Sequence, residues 1–395
     1  MRVALIHSYY RSDIPSGENV VVDAQAKVLI EAGHEVQVIG RYSDHEIDKR
    51  LYVVKSAATV ATGWGPSPLE QIEAFRPDVV HVHNLFPNFG TGWLKQVEVP
   101  LVATVHNFRP VCSATNLLRN GQYCDLCPTK GSHHAVLNSC YRNSKLATIP
   151  LAIATRKSSL PPVFDRADAL IFLSNRSRAI YDALKMGIAD KSRTIPNFID
   201  PPSLAKNKRQ SASTDPWVYV GRLSSEKGIL ELIRAWPENR PLQILGDGPL
   251  RKACEQASEG KAITFHGLVG RNQLFVTLNE SRGLVFPSLW TEMYALVYLE
   301  ACVAGLPTLA LAGNSVADDV IEGATGVVFD SFESVEEGIA TMEKGYERFS
   351  EAALKRFAER YSRNIWLQET VNLYEELVSS DLPPRPKTLW KRLPP

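Results

Sequence analysis

Short apolar, β-branched runs recur along the chain, and longer stretches of helical periodicity separate them. The runs fall at 3–6, 36–39, 79–82, 101–105 and 169–173, then at 217–220, 243–245, 263–265, 284–286, 308–311 and 327–329. They are almost continuously apolar, which predicts parallel strands covered on both faces. Between them, 20–32 reads as a helix closed by Gly33, 228–236 as a second, and 296–304 as a third closed by Gly305. No internal period emerges. Alternating strands and helices predict an α/β chain of two Rossmann-like, doubly wound parallel-sheet domains. Residues 201–216 are polar, Ser-rich and flanked by prolines, and read as the linker. The first domain then takes residues 1–200 and the second 215–360. A helix over 361–380 returns to the first domain, and the closing PPRPKTLWKRLPP is extended by its prolines. Open α/β sheets bind ligands at the carboxyl ends of their strands, so the site is expected in the cleft between the domains.

Composition narrows the class. The 395 residues are 44% hydrophobic and 22% charged, which excludes a disordered or fibrous chain. Lys and Arg total 44 against 43 Asp and Glu, so the basic excess of a dedicated nucleic-acid binder is missing and no nucleic-acid partner is expected. No run of 18 apolar residues occurs, and the opening MRVALIHSYY lacks a signal-like apolar segment, so a cytoplasmic protein is expected.

Four segments of the second half carry chemistry. GRLSSEKG (221–228) follows a strand and offers Arg222 and Lys227, a fork and a point charge that suit a diphosphate; a solvated turn is the plainer alternative. GDGP (246–249) permits a tight turn with close backbone approach. His266–Gly267 follows a third strand. Strand 284–286 runs into PSLWTEMYALVYLEACVAG, with Glu292 in a loop and Glu300 eight residues on, inside a helix. The helix start between them offers free amides at Ala295 and Leu296, an anion site. Alternatively, Glu292 caps the helix and Glu300 forms a salt bridge.

Taken together, GRLSSEKG, GDGP, HG and the Glu-x7-Glu ending in EAC-x-x-G-x-P resemble the nucleotide-sugar half of retaining GT-B glycosyltransferases, glycosyltransferase family 4 in particular. PNFID (196–200) is similar to that family's PNG-x-D element. The resemblance implies a GT-B fold, with acceptor bound by the first domain and nucleotide sugar by the second. It implies that Arg222 and Lys227 bind the donor diphosphate and that Glu300 holds the ribose. Glu292 would hold sugar hydroxyls, the amides of Ala295 and Leu296 would touch phosphate, and Gly267 and Leu268 would lie near the base. A UDP or GDP donor follows, with no metal required for catalysis, since no Asp-x-Asp follows a strand. Met293, Tyr294 and Ala295 depart from the family's usual Glu-Pro/Gly-Phe-Gly, and Phe198 replaces a glycine in PNG-x-D.

In the first half, Ser16–Gly17–Glu18 precedes a helix. Gly17 suits a phosphate-side loop, whereas Ser16 and Glu18 equally suit a helix cap. DVVHVHN sets His81 and His83 on one face of a strand. His106 ends the next strand, and the family has a histidine there near the donor sugar, so His106 is preferred over His83. Cys112, Cys124, Cys127 and Cys140 follow C-x11-C-x2-C-x12-C with His133 and His134 between, a spacing that suits a structural zinc in the 112–140 loop or simply reduced thiols. Cys254 and Cys302 read as core. Arg142, Lys145, Arg156 and Lys157 flank ATIPLAIA, and Arg385, Lys387, Lys391 and Arg392 lie in the tail. These basic-apolar segments suit peripheral contact with an anionic membrane face, or a solvated helix.

The leading expectation is a retaining glycosyltransferase moving a sugar from a nucleoside diphosphate to a glycan, lipid-linked or secondary-metabolite hydroxyl. A sugar-nucleotide epimerase of GT-B shape and a non-catalytic nucleotide-sugar binder are the alternatives. A two-Rossmann oxidoreductase is disfavoured, since no G-x-G-x-x-G follows a strand.

Overall fold

The computed structural model describes residues 1–11, 16–47, 51–156, 160–201 and 212–380. Lys157, most of the expected linker and the basic tail with Arg385, Lys387, Lys391 and Arg392 lie outside the described residues. Two six-stranded parallel sheets form the molecule. The first holds β1 (Arg2–Tyr9), β2 (Glu35–Tyr42), β3 (Val79–Asn84), β4 (Leu101–Val105), β7 (Ala169–Phe172) and β8 (Ser192–Thr194), in the order β2-β1-β3-β4-β7-β8. A separate hairpin pairs β5 (Leu118–Arg119) with β6 (Gln122–Tyr123). The second sheet holds β9 (Trp217–Val220), β10 (Leu242–Leu245), β11 (Ile263–Gly267), β12 (Leu284–Phe286), β13 (Thr308–Leu311) and β14 (Gly326–Phe329), in the order β11-β10-β9-β12-β13-β14.

Each predicted strand is present to within a few residues. β4 and β7 are buried at every position and β3 at all but its last, as strands covered on both faces must be. One face of the first sheet packs Ile6, Val80 and Phe172 with Tyr181. The other packs Val3, Leu5 and Ile171 against Trp366, Leu373 and Tyr374 of the helix Arg363–Ser379, which returns from the second domain. That helix is tied to the sheet by a 2.6 Å hydrogen bond between Tyr374 Oη and His81 Nδ1. The second sheet is covered by the clusters around Tyr298 and Trp217. Cys254 and Cys302 are fully buried core residues, as expected.

Order reverses once in each sheet, between β1 and β3 in the first and between β9 and β12 in the second. Such a reversal opens a crevice at the carboxyl end, because the connections on either side leave toward opposite faces. In the second sheet the loops at that end touch through glycine. Gly246 has φ +136°, and a Cβ there would lie 2.0 Å from the Gly221 carbonyl oxygen. A Cβ on Gly248 would lie 2.5 Å from the Leu223 carbonyl oxygen. GDGP is therefore wedged on the backbone of the 221–228 loop and fixes its height.

Four histidines gather at the carboxyl end of the first sheet. His81 and His83 stack with centroids 4.2 Å apart, and His83 Nδ1 lies 3.0 Å from His106 Nε2. His81 also meets Thr104 Oγ1 at 2.8 Å, so both its nitrogens are used and it is structural. His7 Nε2 hydrogen-bonds Asn19 Oδ1 at 3.0 Å. Burial pulls His7 and His106 down to about 4, His81 to about 3, and His83 well below the usual range.

Two predictions follow from this packing. Gly246→Ala is expected to cost more than about 2 kcal/mol in urea unfolding, because backbone must move as well as φ. Gly260→Ala, at φ +78° with nothing within 4 Å of the added carbon, carries the strain alone and is expected to cost about 1 kcal/mol; equal losses would refute the wedge. Stability is also expected to fall as pH drops from 6.5 to 5. The unfolded chain takes up protons on four histidines that the native state refuses, whereas Glu300, raised to about 7, and Glu369, also raised by burial, work the other way. A flat urea midpoint across that window would contradict the assignment.

Candidate active site

The crevice of the second sheet is built by the loops after β9 and β12. Lys227 Nζ lies 2.6 Å from Glu292 Oε1, and Ser288 Oγ donates to the same oxygen at 3.0 Å. The pair is largely withdrawn from water, with the lysine side chain 22% and the glutamate 10% exposed. Its surroundings are fixed on all sides. Gly228, at φ +65°, lets the first loop approach so closely that a Cβ would sit 2.1 Å from the Pro287 carbonyl oxygen. Asn314 Nδ2 donates to the Ser288 carbonyl at 3.1 Å, and Ser315 Oγ donates to the Glu292 carbonyl. The Trp290 ring lies 5.6 Å from the Lys227 ammonium.

A cavity of about 350 Å³ opens beside the pair, lined among others by Gly17, Lys227, Ser288, Glu292, Ala295 and Leu296. The helix Leu296–Val303 begins there, and no side chain caps it at Ala295. Its first N–H groups and the positive end of its dipole are left to an incoming anion. Gly17 reaches the cavity from the first domain, where a Cβ would lie 3.4 Å from Leu296 Cδ1. Two helix N-termini, one per domain, thus meet at one cavity. Ser16 also caps its own helix, accepting from Asn19 N at 3.4 Å, so the capping expectation for that loop holds while Gly17 lines the cavity.

The structure brings Gly17, Lys227, Glu292, Ala295 and Leu296 together and leaves other expected residues outside the cavity lining. Arg222 is exposed at the exit of β9, its carbonyl accepting from Tyr219 Oη at 2.9 Å. Gly267 ends β11 with φ +69°, and Leu268 is 69% exposed beyond it. Glu300 lies further along the Leu296–Val303 helix, where burial raises its carboxyl to about 7 against the opposing pull of Arg271. Tyr294 lines the cavity, but Met293 packs into the core of the first domain, so this departure from the family pattern serves domain contact.

His106 lies in a second cavity, of about 180 Å³, above β3 and β4. His83, Asn84, Asn107 and Arg109 line it too. Between the two cavities stands Glu18, which accepts from Asn107 Nδ2 at 2.8 Å and from Asn84 Nδ2 at 3.4 Å. Sequence reasoning missed Asn84, Asn107 and Arg109. The available signal was that HN follows both strands, at 83–84 and 106–107.

Of the four loop cysteines, Cys112 packs into the core of the first domain. Cys127 and Cys140 share a small cluster with Ala135 and Ala152. Burial first, then the charges of the other three cysteines, raise the Cys127 thiol to about 12. Among the described residues, no three His, Cys, Asp or Glu side chains are placed to hold one ion. No described helix is long and apolar enough to cross a membrane.

Comparison with known proteins agrees with this architecture. The model of the glycosyl transferases group 1 matches residues 205–356, and that of glycosyltransferase family 4 matches residues 15–202. An uncharacterised glycosyltransferase of Methanocaldococcus jannaschii is 24% identical over 95% of this chain and 98% of its own. Sucrose-phosphate synthase from Thermosynechococcus elongatus superposes with a TM-score of 0.64, at 17% identity over 95% of this chain and 98% of its own. An Anabaena protein solved with UDP gives 0.58, at 16% identity over 95% and 100% of the two chains. The chain therefore belongs to the GT-B glycosyltransferases of family 4.

Proposed function

We propose that the protein transfers a sugar from a nucleoside-diphosphate donor to an acceptor hydroxyl with retention at the anomeric carbon. The observation that carries this reading is the half-buried Lys227–Glu292 pair beside an uncapped helix start at the reversal of the second sheet. A donor there separates the pair. Its diphosphate takes Lys227 and the amides of Ala295 and Leu296, and its sugar hydroxyls donate to Glu292. Arg222 adds a second cation from the β9 exit, Glu300 accepts from the ribose, and the base lies toward Gly267 and Leu268. The anomeric carbon–oxygen bond to phosphate breaks as the bond to the acceptor oxygen forms on the same face. The acceptor proton passes to the departing phosphate oxygen. Lys227 and the helix amides stabilise the charge that grows there, so the scheme requires no metal. His106, held neutral by burial, hydrogen-bonds a hydroxyl between the two cavities. A UDP or GDP donor is favoured, and the fold-level likeness to the Anabaena protein solved with UDP supports a uridine nucleotide. The second cavity gives an acceptor its own place, which favours transfer over epimerisation.

We further propose peripheral contact with an anionic membrane face. The helices Tyr52–Thr62 and Lys145–Ala154 flank the second cavity and leave Val53, Val54, Leu146, Ile149 and Ile153 exposed, with Trp64 just beyond the first. Lys55, Lys145 and Arg156 accompany them, a pattern suited to an anionic interface.

Calorimetric titration with UDP, GDP, ADP and dTDP tests the donor site. One nucleotide is expected to bind unaffected by EDTA and about tenfold or more weaker in Lys227→Ala; failure of all four would reject the function. Product analysis should then show the donor's anomeric configuration in an acceptor glycoside, whereas a free epimer would favour the alternative. In flotation with anionic and neutral phospholipid vesicles, only the anionic ones should carry the protein, and Val53→Glu with Leu146→Glu should release it. Equal recovery with both lipids would count against the membrane contact.

A further inference from the structure

Among the described residues, the second cavity holds a cation, Arg109, that no counter-ion meets. Arg109 stacks on Phe86, its guanidinium carbon 3.7 Å from the ring centroid. Its Nε and Nη1 are shut off from water and meet no acceptor. Among the described residues it forms no ion pair. The nearby carboxylate of Glu18 is engaged by Asn84 and Asn107 instead. Guanidinium N–H groups removed from water cost free energy until an acceptor meets them. His83, 5% exposed, likewise leaves its Nε2 without a partner at the same cavity. Most of the remaining lining is apolar, with Val60, Phe89, Leu151 and Val163 among it, interrupted by Asn84, Asn107 and several threonines, and the two helices that flank the opening expose apolar residues. The cavity thus combines one unmet positive charge with a hydrocarbon lining.

We propose that this cavity binds the acceptor, and that the acceptor is an amphiphile whose anionic group, phosphate or carboxylate, sits against Arg109 while its hydrocarbon part lies along the apolar walls. The proposal rests on the glycosyltransferase reading for the word acceptor, but the binding itself does not depend on transfer. An uncharged glycan would leave Arg109 unmet, and a free inorganic anion would leave the walls wet. The guanidinium fork, already oriented by its stack on Phe86, offers two parallel donors to one planar or tetrahedral anion.

Titration of the full chain with decyl phosphate, decanoate, decanol and inorganic phosphate, each below its aggregation limit, tests this directly. One of the two anionic amphiphiles is expected to bind about tenfold or more tightly than decanol or inorganic phosphate. The tighter of the two identifies the anionic group. Arg109→Gln should bring that ligand to the level of decanol, Arg109→Lys should retain part of the difference, and Lys227→Ala should bind it as the unaltered protein does. In the unaltered protein its affinity should fall with added salt while that of decanol does not. Undiminished binding by Arg109→Gln, or decanol binding as well as the anions, or no salt dependence, would overturn the proposal. Nucleoside-diphosphate titration of the same variants separates the two ideas. Retained nucleotide binding by Arg109→Gln shows that the variant is folded, whereas loss of all nucleotide binding in the unaltered protein would overturn the donor site alone.

Discussion

Lys227 and Glu292 are 65 residues apart and can meet only because β9 and β12 are neighbours at the reversal of the second sheet. Much of the site depends on that contact. An ion pair this far from water is not a source of stability by itself, because desolvation offsets most of the attraction. It persists because the surroundings determine it: Ser288 donates to the carboxylate, Asn314 and Ser315 hold the loop that carries it, and glycines let the two loops touch. The pair keeps each charge compensated within the fold. On the proposed function, a donor offers each partner a replacement, phosphate for the lysine and sugar hydroxyls for the glutamate. Binding then exchanges one set of charge-assisted hydrogen bonds for another, and neither charge is left alone in low dielectric.

Much of this was legible in the sequence because burial on both faces leaves a strong mark. The central strands read as unbroken apolar runs, and the glycine loops after them marked their carboxyl ends. β8 escaped because Ser-Arg-Thr at a sheet edge carries no apolar signal. The hairpin of β5 and β6 is too short, at two residues per strand, to produce a pattern. GDGP read as a tight turn with close backbone approach, and its glycines make one; that the partner is the 221–228 loop is what no local pattern can show.

The candidate site was legible where one segment carried its own logic and illegible where distant segments met. The Glu292 loop and the helix start at Ala295 are continuous in sequence, so an anion site could be read there. The junction of Glu18, Asn84 and Asn107 draws on the helix Gly17–Glu31 and the ends of β3 and β4, and its meaning lies in their adjacency. His81 and His83 share a face but not a role: one has both nitrogens committed within the fold, whereas the other keeps a nitrogen unmet at a cavity. Alternation alone cannot separate them. The cysteine spacing suggested a metal, yet the thiols in this arrangement are gathered without converging on one ion.

Gly17 and Glu18 connect the two halves. Gly17 lines the cleft cavity against Leu296, and the next residue holds the asparagine amides at the floor of the second cavity. Met293 and Tyr294 reach back from the Glu292 loop into the first domain's core. The two cavities are therefore set by one short path of backbone and packed side chains, and neither domain can shift without moving residues of the other's site. That arrangement suits a reaction in which acceptor oxygen and anomeric carbon must come within bonding reach while water is kept out. On the proposed acceptor site, it also gives Arg109 a positional use. An acceptor anchored by its anionic group beside β4 is held at a fixed distance from the Glu18 junction. Which of its hydroxyls reaches the donor is then decided by the length of acceptor between anion and hydroxyl, not by the cleft alone.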